Sequence, residues 1–138
     1  MITEKNFKLI TFLENIYYYP RLDNVFKTAN CLLDKNGYIF IKTLSGDSPC
    51  FWWNTSRIER YNVSASCMPT LSSLKYMLKN SGFEVIASKC YPYYNILSMI
   101  GLTKNRWLNK VSRVFNPIFN LLHLSDRVMI ICKKVKDI

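Results

Sequence analysis

Glycine is scarce in this 138-residue chain: there are four, at 37, 46, 82 and 101, and no two are close enough to form a glycine-rich turn. A bare-backbone cradle for a phosphate or nucleotide, of the kind that spaced glycines build, is therefore not encoded within these residues. Proline is nearly as sparse, with five residues, which leaves no low-complexity linker and argues for one domain over 1–138. Histidine occurs once, at His123, and no carboxylate or cysteine is placed beside it by spacing, so neither a metal site nor a nucleophilic triad is expected. The five cysteines, at 31, 50, 67, 90 and 132, are odd in number and lack a C-x-x-C pair. That excludes a zinc ribbon and argues for reduced, mostly structural thiols. No apolar run reaches the roughly 18 residues that span a bilayer, since the best stretch, 94–102, is interrupted by Asn95 and Ser98. With no signal-peptide pattern at the N-terminus, a cytoplasmic location is expected, and the sequons at Asn54 and Asn62 carry no weight.

Acidic residues are also few. Nine Asp and Glu face 19 Lys and Arg, a formal net charge of +10 that favours anionic partners. The cations are spread along the chain, and the densest group is Lys133, Lys134 and Lys136. This pattern fits a solvated basic surface as well as an anion-binding face.

Core-forming residues, by contrast, are plentiful: 49% of the chain is hydrophobic, with nine Tyr, eight Phe and three Trp. A chain of this length can bury roughly two-thirds of its unfolded surface. Phe7 to Leu13 is almost continuously apolar and reads as a strand covered on both faces. Between Arg21 and Leu33 the residues Leu22, Val25, Phe26, Ala29, Leu32 and Leu33 mark one face of a helix after Pro20. Asp34 to Gly37 should end that helix, with Gly37 in the left-handed conformation, before a second strand from Tyr38 to Thr43. Strand, helix and strand at this spacing make a βαβ unit, so the two strands should be parallel.

Residues 44–69 show no sustained period and form a long loop holding Trp52 and Trp53. Thr70 should cap a helix over 71–80 that Ser81 and Gly82 close, followed by a strand from Phe83 to Ala87. The stretch 91–124 reads as a helical insertion broken near Gly101 and Pro117, and a last strand runs from Val128 to Cys132. Within the insertion, Lys104, Arg106, Lys110 and Arg113 oppose Trp107, Leu108, Val111, Val114 and Phe115. That basic amphipathic pattern permits contact with an anionic membrane surface but also suits a cap on the sheet.

In order and spacing these elements resemble the C-terminal half of class I S-adenosylmethionine-dependent methyltransferases. Four pieces carry the resemblance: Phe7-Lys-Leu-Ile with Leu13-Glu14-Asn15; Leu32-Leu33 through Asn36-Gly37 into Tyr38-Ile-Phe-Ile41; Leu74 to Leu78 through Gly82-Phe83 into Val85; and Asp126 to Lys133. Asn15 stands where the family usually has His, and Asn36-Gly37 where it has a glycine pair.

The resemblance implies an α/β fold: a partial Rossmann-like methyltransferase sheet of four strands in the order one, two, four, three, mixed, with the last strand antiparallel, and flanking helices. It implies that S-adenosylmethionine lies at the carboxyl ends of the strands, with Phe12, Leu13, Glu14 and Asn15 on its methionine and ribose side. Tyr17, Tyr18 and Tyr19 would face the acceptor, with Trp52 and Trp53 as a further substrate wall. Glu14 could equally be a strand-end carboxylate near a helix N-terminus, the tyrosines a packing cluster, and the tryptophans a loop packed on the core.

The family's glycine-rich first half has no counterpart in the sequence, so S-adenosylmethionine binding by this chain alone should be weak or absent. The first expectation is thus the C-terminal portion of a methyltransferase for a small-molecule, glycan or lipid-linked acceptor, inactive in isolation, which meets a missing N-terminal half or associates with itself through the first strand. A non-catalytic interaction module is the second. A basic nucleic-acid-binding protein is the third, permitted by charge but supported by no binding motif.

Overall fold

The structure is a computed structural model that describes residues 7–48, 66–91, 110, 114, 116–122 and 125–138. Four strands, β1 (Phe7–Leu13), β2 (Leu33–Leu44), β3 (Phe83–Tyr91) and β4 (Arg127–Lys134), form one sheet in the order β1-β2-β4-β3. β1 runs parallel to β2, and β4 runs antiparallel to both β2 and β3. This is the order and the mixed polarity that the resemblance implies. The helices among the described residues are α1 (Leu22–Leu32), α2 (Leu71–Asn80) and the short α3 (Asn116–Leu121), with a 3-10 turn at Ile16–Tyr18.

One face of the sheet forms the core. Ile10 and Phe12 of β1, with Ile39, Ile41 and Ile130 of the central strands, meet α1 through Phe26 and α2 through Leu74 and Leu78. Phe12 packs edge-on against Phe26, with ring centroids 6.2 Å apart. The periodicities that pointed to α1 and α2 are the faces buried here. Thr70 caps α2 as expected, its hydroxyl accepting from the Ser73 N–H at 3.1 Å. Asp47 adds a second cap, its carboxylate accepting the Leu71 N–H at 2.8 Å.

Several expectations need correction. Asp34 to Gly37 do not form a separate connection after α1, because β2 already begins at Leu33. The register with β1 jumps from Phe7↔Leu33 to Leu9↔Tyr38, so these residues make an irregular bulge within the strand. Asn36, with φ 64°, takes the left-handed conformation assigned above to Gly37. Gly37 serves close packing instead, since a Cβ there would lie 2.9 Å from Leu33 Cδ2. Gly82, with φ 77°, does close α2 in the left-handed region.

β1 is not covered on both faces: Leu9 and Leu13 are more than half exposed. Among the described residues β1 is an edge strand of the sheet. Tyr91, read above as the start of the helical insertion, is the last residue of β3. Pro117 is the second residue of α3, where its missing N–H leaves no intrahelical bond unmade, and the residues just before α3 that would show a kink or split lie outside the described ones. Trp52, Trp53, His123, Cys50 and most of the insertion lie outside the described residues.

At the amino edge of the sheet, where β1 and β3 begin, the end of the chain is tied to the two helices. Asn30 Nδ2 donates to Ser81 O at 2.9 Å and to Lys136 O at 2.8 Å. The buried Lys134 ammonium donates to Asn30 O at 2.7 Å and Leu33 O at 2.9 Å, and pairs with Asp137 at 2.7 Å. A cation thus meets the carbonyls that α1 leaves unpaired at its C-terminus.

Candidate cofactor and acceptor rim

The strand polarities bring four chain positions to one edge of the sheet. β1, β2 and β3 end there at Leu13, Leu44 and Tyr91, and β4 begins there at Arg127, which is in register with both Leu44 and Tyr91. In open α/β sheets this carboxyl edge is where ligands bind.

Glu14 leaves β1 with φ 55°, a left-handed conformation unusual for a residue with a Cβ. Its N–H still donates to Lys42 O at 2.7 Å, so the ladder with β2 continues one residue past the strand. Its carboxylate Oε2 lies 3.1 Å from Arg127 Nη1, an ion pair between a half-buried acid and a buried base. Burial raises the Glu14 carboxyl above its ordinary range; Arg127 and Lys42 pull it down and Asp126 pushes it up. Lys42 stands 5.9 Å from the centroid of the Tyr91 ring, at the outer reach of a cation–π contact. The Tyr91 phenol is held above its ordinary value by burial, against the pull of Lys42.

The turn after Glu14 is anchored from the far side. Tyr17 O accepts from Ser66 N at 2.7 Å and Cys67 N at 3.2 Å, and Ser66 Oγ donates to Tyr18 O at 3.2 Å. Tyr17 is buried with its ring 4.5 Å from that of Tyr18, and burial with Tyr18 and Glu14 pushes its phenol up to about 12. Such a phenol stays protonated at physiological pH and acts as a hydrogen-bond donor.

The residues named from the sequence divide accordingly. Glu14 and Asn15 lie at the carboxyl edge, and Asn15 Oδ1 is buried without a hydrogen-bond partner among the described residues. Leu13 is exposed at the same edge, Tyr18 and Tyr19 are about 40% exposed beside it, and Phe12 turns its side chain into the core. Lys42, Tyr91, Asp126 and Arg127 were missed. The available signals were a lone lysine in the apolar run Ile39-Phe-Ile-Lys42-Thr43 and an Asp-Arg pair at the start of the last strand.

Together these side chains offer the Lys42 ammonium for an anionic group and a carboxylate, paired with Arg127, able to accept from hydroxyls or take up a proton. They do not by themselves fit S-adenosylmethionine. At each described glycine a Cβ would already meet protein: Met68 O at 2.6 Å from Gly46, Lys136 O at 2.5 Å from Gly82 and Leu33 Cδ2 at 2.9 Å from Gly37. No glycine among the described residues therefore leaves backbone bare for a cofactor to approach. Those residues also contain no cluster of His, Cys, Asp or Glu arranged to hold a metal, and no helix long and apolar enough to cross a membrane.

No family model matches the sequence, and no curated protein matches it. Solved structures match the fold. A Bacillus halodurans protein described as a methyltransferase superposes with a TM-score of 0.65 at 14% identity, over 97% of this chain and 72% of its own. An S-adenosylmethionine-dependent methyltransferase of Archaeoglobus fulgidus gives 0.63 at 18% identity, over 95% of this chain and 61% of its own. One from Thermotoga maritima gives 0.63 at 15% identity, over 97% and 59%. The chain therefore has the class I S-adenosylmethionine-dependent methyltransferase fold over nearly its whole length. It spans only about three-fifths of the latter two proteins.

Proposed function

We propose that these 138 residues are the acceptor-side half of an S-adenosylmethionine-dependent methyltransferase acting on a small-molecule, glycan or lipid-linked acceptor. The glycine-rich half of the cofactor cleft would come from polypeptide outside them. The observation that carries this reading is Glu14, held in a left-handed conformation at the carboxyl edge and paired there with Arg127. Strained backbone and a half-buried ion pair are concentrated at ligand sites more often than elsewhere. In this reading Glu14 and Asn15 form one wall of the cleft, while Tyr18 and Tyr19 orient the acceptor. Methyl transfer asks little more of a protein than alignment and exclusion of water. S-adenosylmethionine, when bound, supplies the methyl group.

The incoming half would join along β1. Its outer edge, unpaired among the described residues, lies beside a groove of about 400 Å³ bordered by Ile10, Phe12, Val25, Ala29 and Leu32. That geometry suits an added parallel strand with a helix next to it. The same edge also supports a second reading, a non-catalytic module that pairs with another chain and never meets the cofactor.

Calorimetric titration of S-adenosylmethionine tests incompleteness, with weak or undetectable binding expected for the isolated chain; a micromolar dissociation constant would overturn it. The native protein, recovered from its source and weighed intact with whatever copurifies, should include a glycine-rich strand-turn segment and retain the cofactor or its demethylated product. Recovery of a cofactor-free assembly without such a segment would leave the module reading.

A further inference from the structure

Lys42 and Tyr91 are 49 residues apart in sequence, and the sheet brings them together. β4 lies between their strands: Met129 is in register with Lys42, and Arg127, two residues earlier on the same face, is in register with Tyr91. Lys42 therefore reaches diagonally across β4, which places its ammonium 5.9 Å from the centroid of the Tyr91 ring. Both residues are half-buried.

The charges around this pair do not balance. Lys42, Lys89 and Arg127 stand near the carboxyl edge against Glu14 and Asp126, and Glu14 is engaged by Arg127 at 3.1 Å. None of the ion pairs among the described residues includes Lys42. The Tyr91 hydroxyl is buried and has no hydrogen-bond partner of good geometry among those residues, although Lys42 lies close enough to weaken its hold on its proton. A charged donor and a neutral donor thus stand side by side at the ligand-binding edge of the sheet, and two adjacent donors suit an oxyanion.

We propose that the acceptor carries an anionic group, a carboxylate or a phosphate, which binds between the Lys42 ammonium and the Tyr91 hydroxyl. The inference rests on the methyltransferase reading and narrows its acceptor to an acid. Lys42 supplies most of the attraction as a compact point charge, and the Tyr91 hydroxyl fixes the orientation of the group. Held at one end in this way, the acceptor has fewer orientations in which to present its other end to the methyl group.

The test titrates the full, isotope-labelled chain with methyl phosphate, acetate, choline and glycerol, followed through amide NMR. Methyl phosphate and acetate should give saturable shifts centred on Lys42, Tyr91 and Arg127, at the millimolar concentrations expected of such small ligands, and choline and glycerol should give none. Lys42→Gln should weaken methyl phosphate binding at least about tenfold, and Tyr91→Phe, which keeps the ring, about threefold. Lys42→Arg should retain most of the affinity, and Lys79→Gln, an exposed lysine on α2, should match wild type. Shifts of equal size with choline, or a methyl phosphate response unchanged in Lys42→Gln, would overturn the proposal. Sedimentation with phosphatidic acid vesicles assigns the source of the group. Capture that depends on Lys42 identifies a lipid headgroup, whereas methyl phosphate binding without capture identifies a soluble acid. Cofactor titration of the native assembly is a separate readout. An anion site in an assembly that never binds S-adenosylmethionine refutes the methyltransferase reading and leaves the site standing. An assembly that methylates an uncharged acceptor with a KM unaffected by Lys42→Gln does the reverse.

Discussion

Glu14 and Arg127 meet at 3.1 Å across the carboxyl edge of the sheet, linking the first strand to the last over 113 residues of sequence. Burial raises the Glu14 carboxyl more than Arg127 and Lys42 lower it. A raised pKa means that the folded protein binds this proton more tightly than the unfolded chain does. The contribution of Glu14 to stability is then complete below its unfolded pKa and is lost as pH rises through the raised folded value. Urea unfolding from the ordinary glutamate range up to neutrality should therefore show wild type losing stability relative to Glu14→Gln. Arg127→Met, which leaves the ionised carboxylate without its partner, should cost about 1–3 kcal/mol near neutral pH and less in acid. A pH-independent difference between wild type and Glu14→Gln would refute the burial argument.

Two left-handed positions call for opposite outcomes. At Gly82, a Cβ would face φ 77° and lie 2.5 Å from Lys136 O and 2.6 Å from Asn30 Nδ2. Gly82→Ala should lower stability by about 1–3 kcal/mol or more, because strain and collision act together. At the exposed Asn36, φ is 64° and the residue is not glycine. Asn36→Gly should be neutral or stabilise by up to about 1 kcal/mol, and Asn36→Val should destabilise by a similar amount. Chemical denaturation of the three variants checks the signs.

The sheet was legible because its determinants are local. The apolar run at 7–13 and the Thr70 to Gly82 helix are each specified by residues within a few positions of one another. The strand order came from the resemblance, since no local pattern states which strands pair. The bulge at Asp34–Gly37 was misread because helix termination and strand irregularity draw on the same residues, Asn and Gly. Half of the rim was legible for the same reason: Glu14 and Asn15 follow a recognisable strand. Lys42, Tyr91 and Arg127 join them only through pairing between strands far apart in sequence, which composition and periodicity do not encode.

The amino edge should be a principal source of stability. Asn30 is fully buried and bridges Ser81 O and Lys136 O, so Asn30→Ala orphans two carbonyls. Loss of about 2–4 kcal/mol is expected, at roughly 1–2 kcal/mol for each. Lys134→Met removes the donor to Asn30 O and Leu33 O and should cost about 1–3 kcal/mol. Urea midpoints report both, and a double variant less destabilised than the sum would show that the two residues act through their shared element, the end of α1.

Thiol labelling gives a readout of the core that needs no mutation. Cys132 is fully buried, and burial pushes its thiol up to about 12, so at physiological pH it carries almost no reactive thiolate. Cys90 is also buried with its thiol raised, first by burial and then by Asp47. Cys31 is exposed at the end of α1. Alkylation of the native chain should modify Cys31 within the time a small-molecule thiol takes, while Cys132 and Cys90 are modified only through opening of the sheet. For a domain of ordinary stability that opening should slow them by at least about a thousandfold. Peptide mapping of the alkylated residues over time separates the classes, and early modification of Cys132 would mean that the face between α1, α2 and the sheet is not the packed core described.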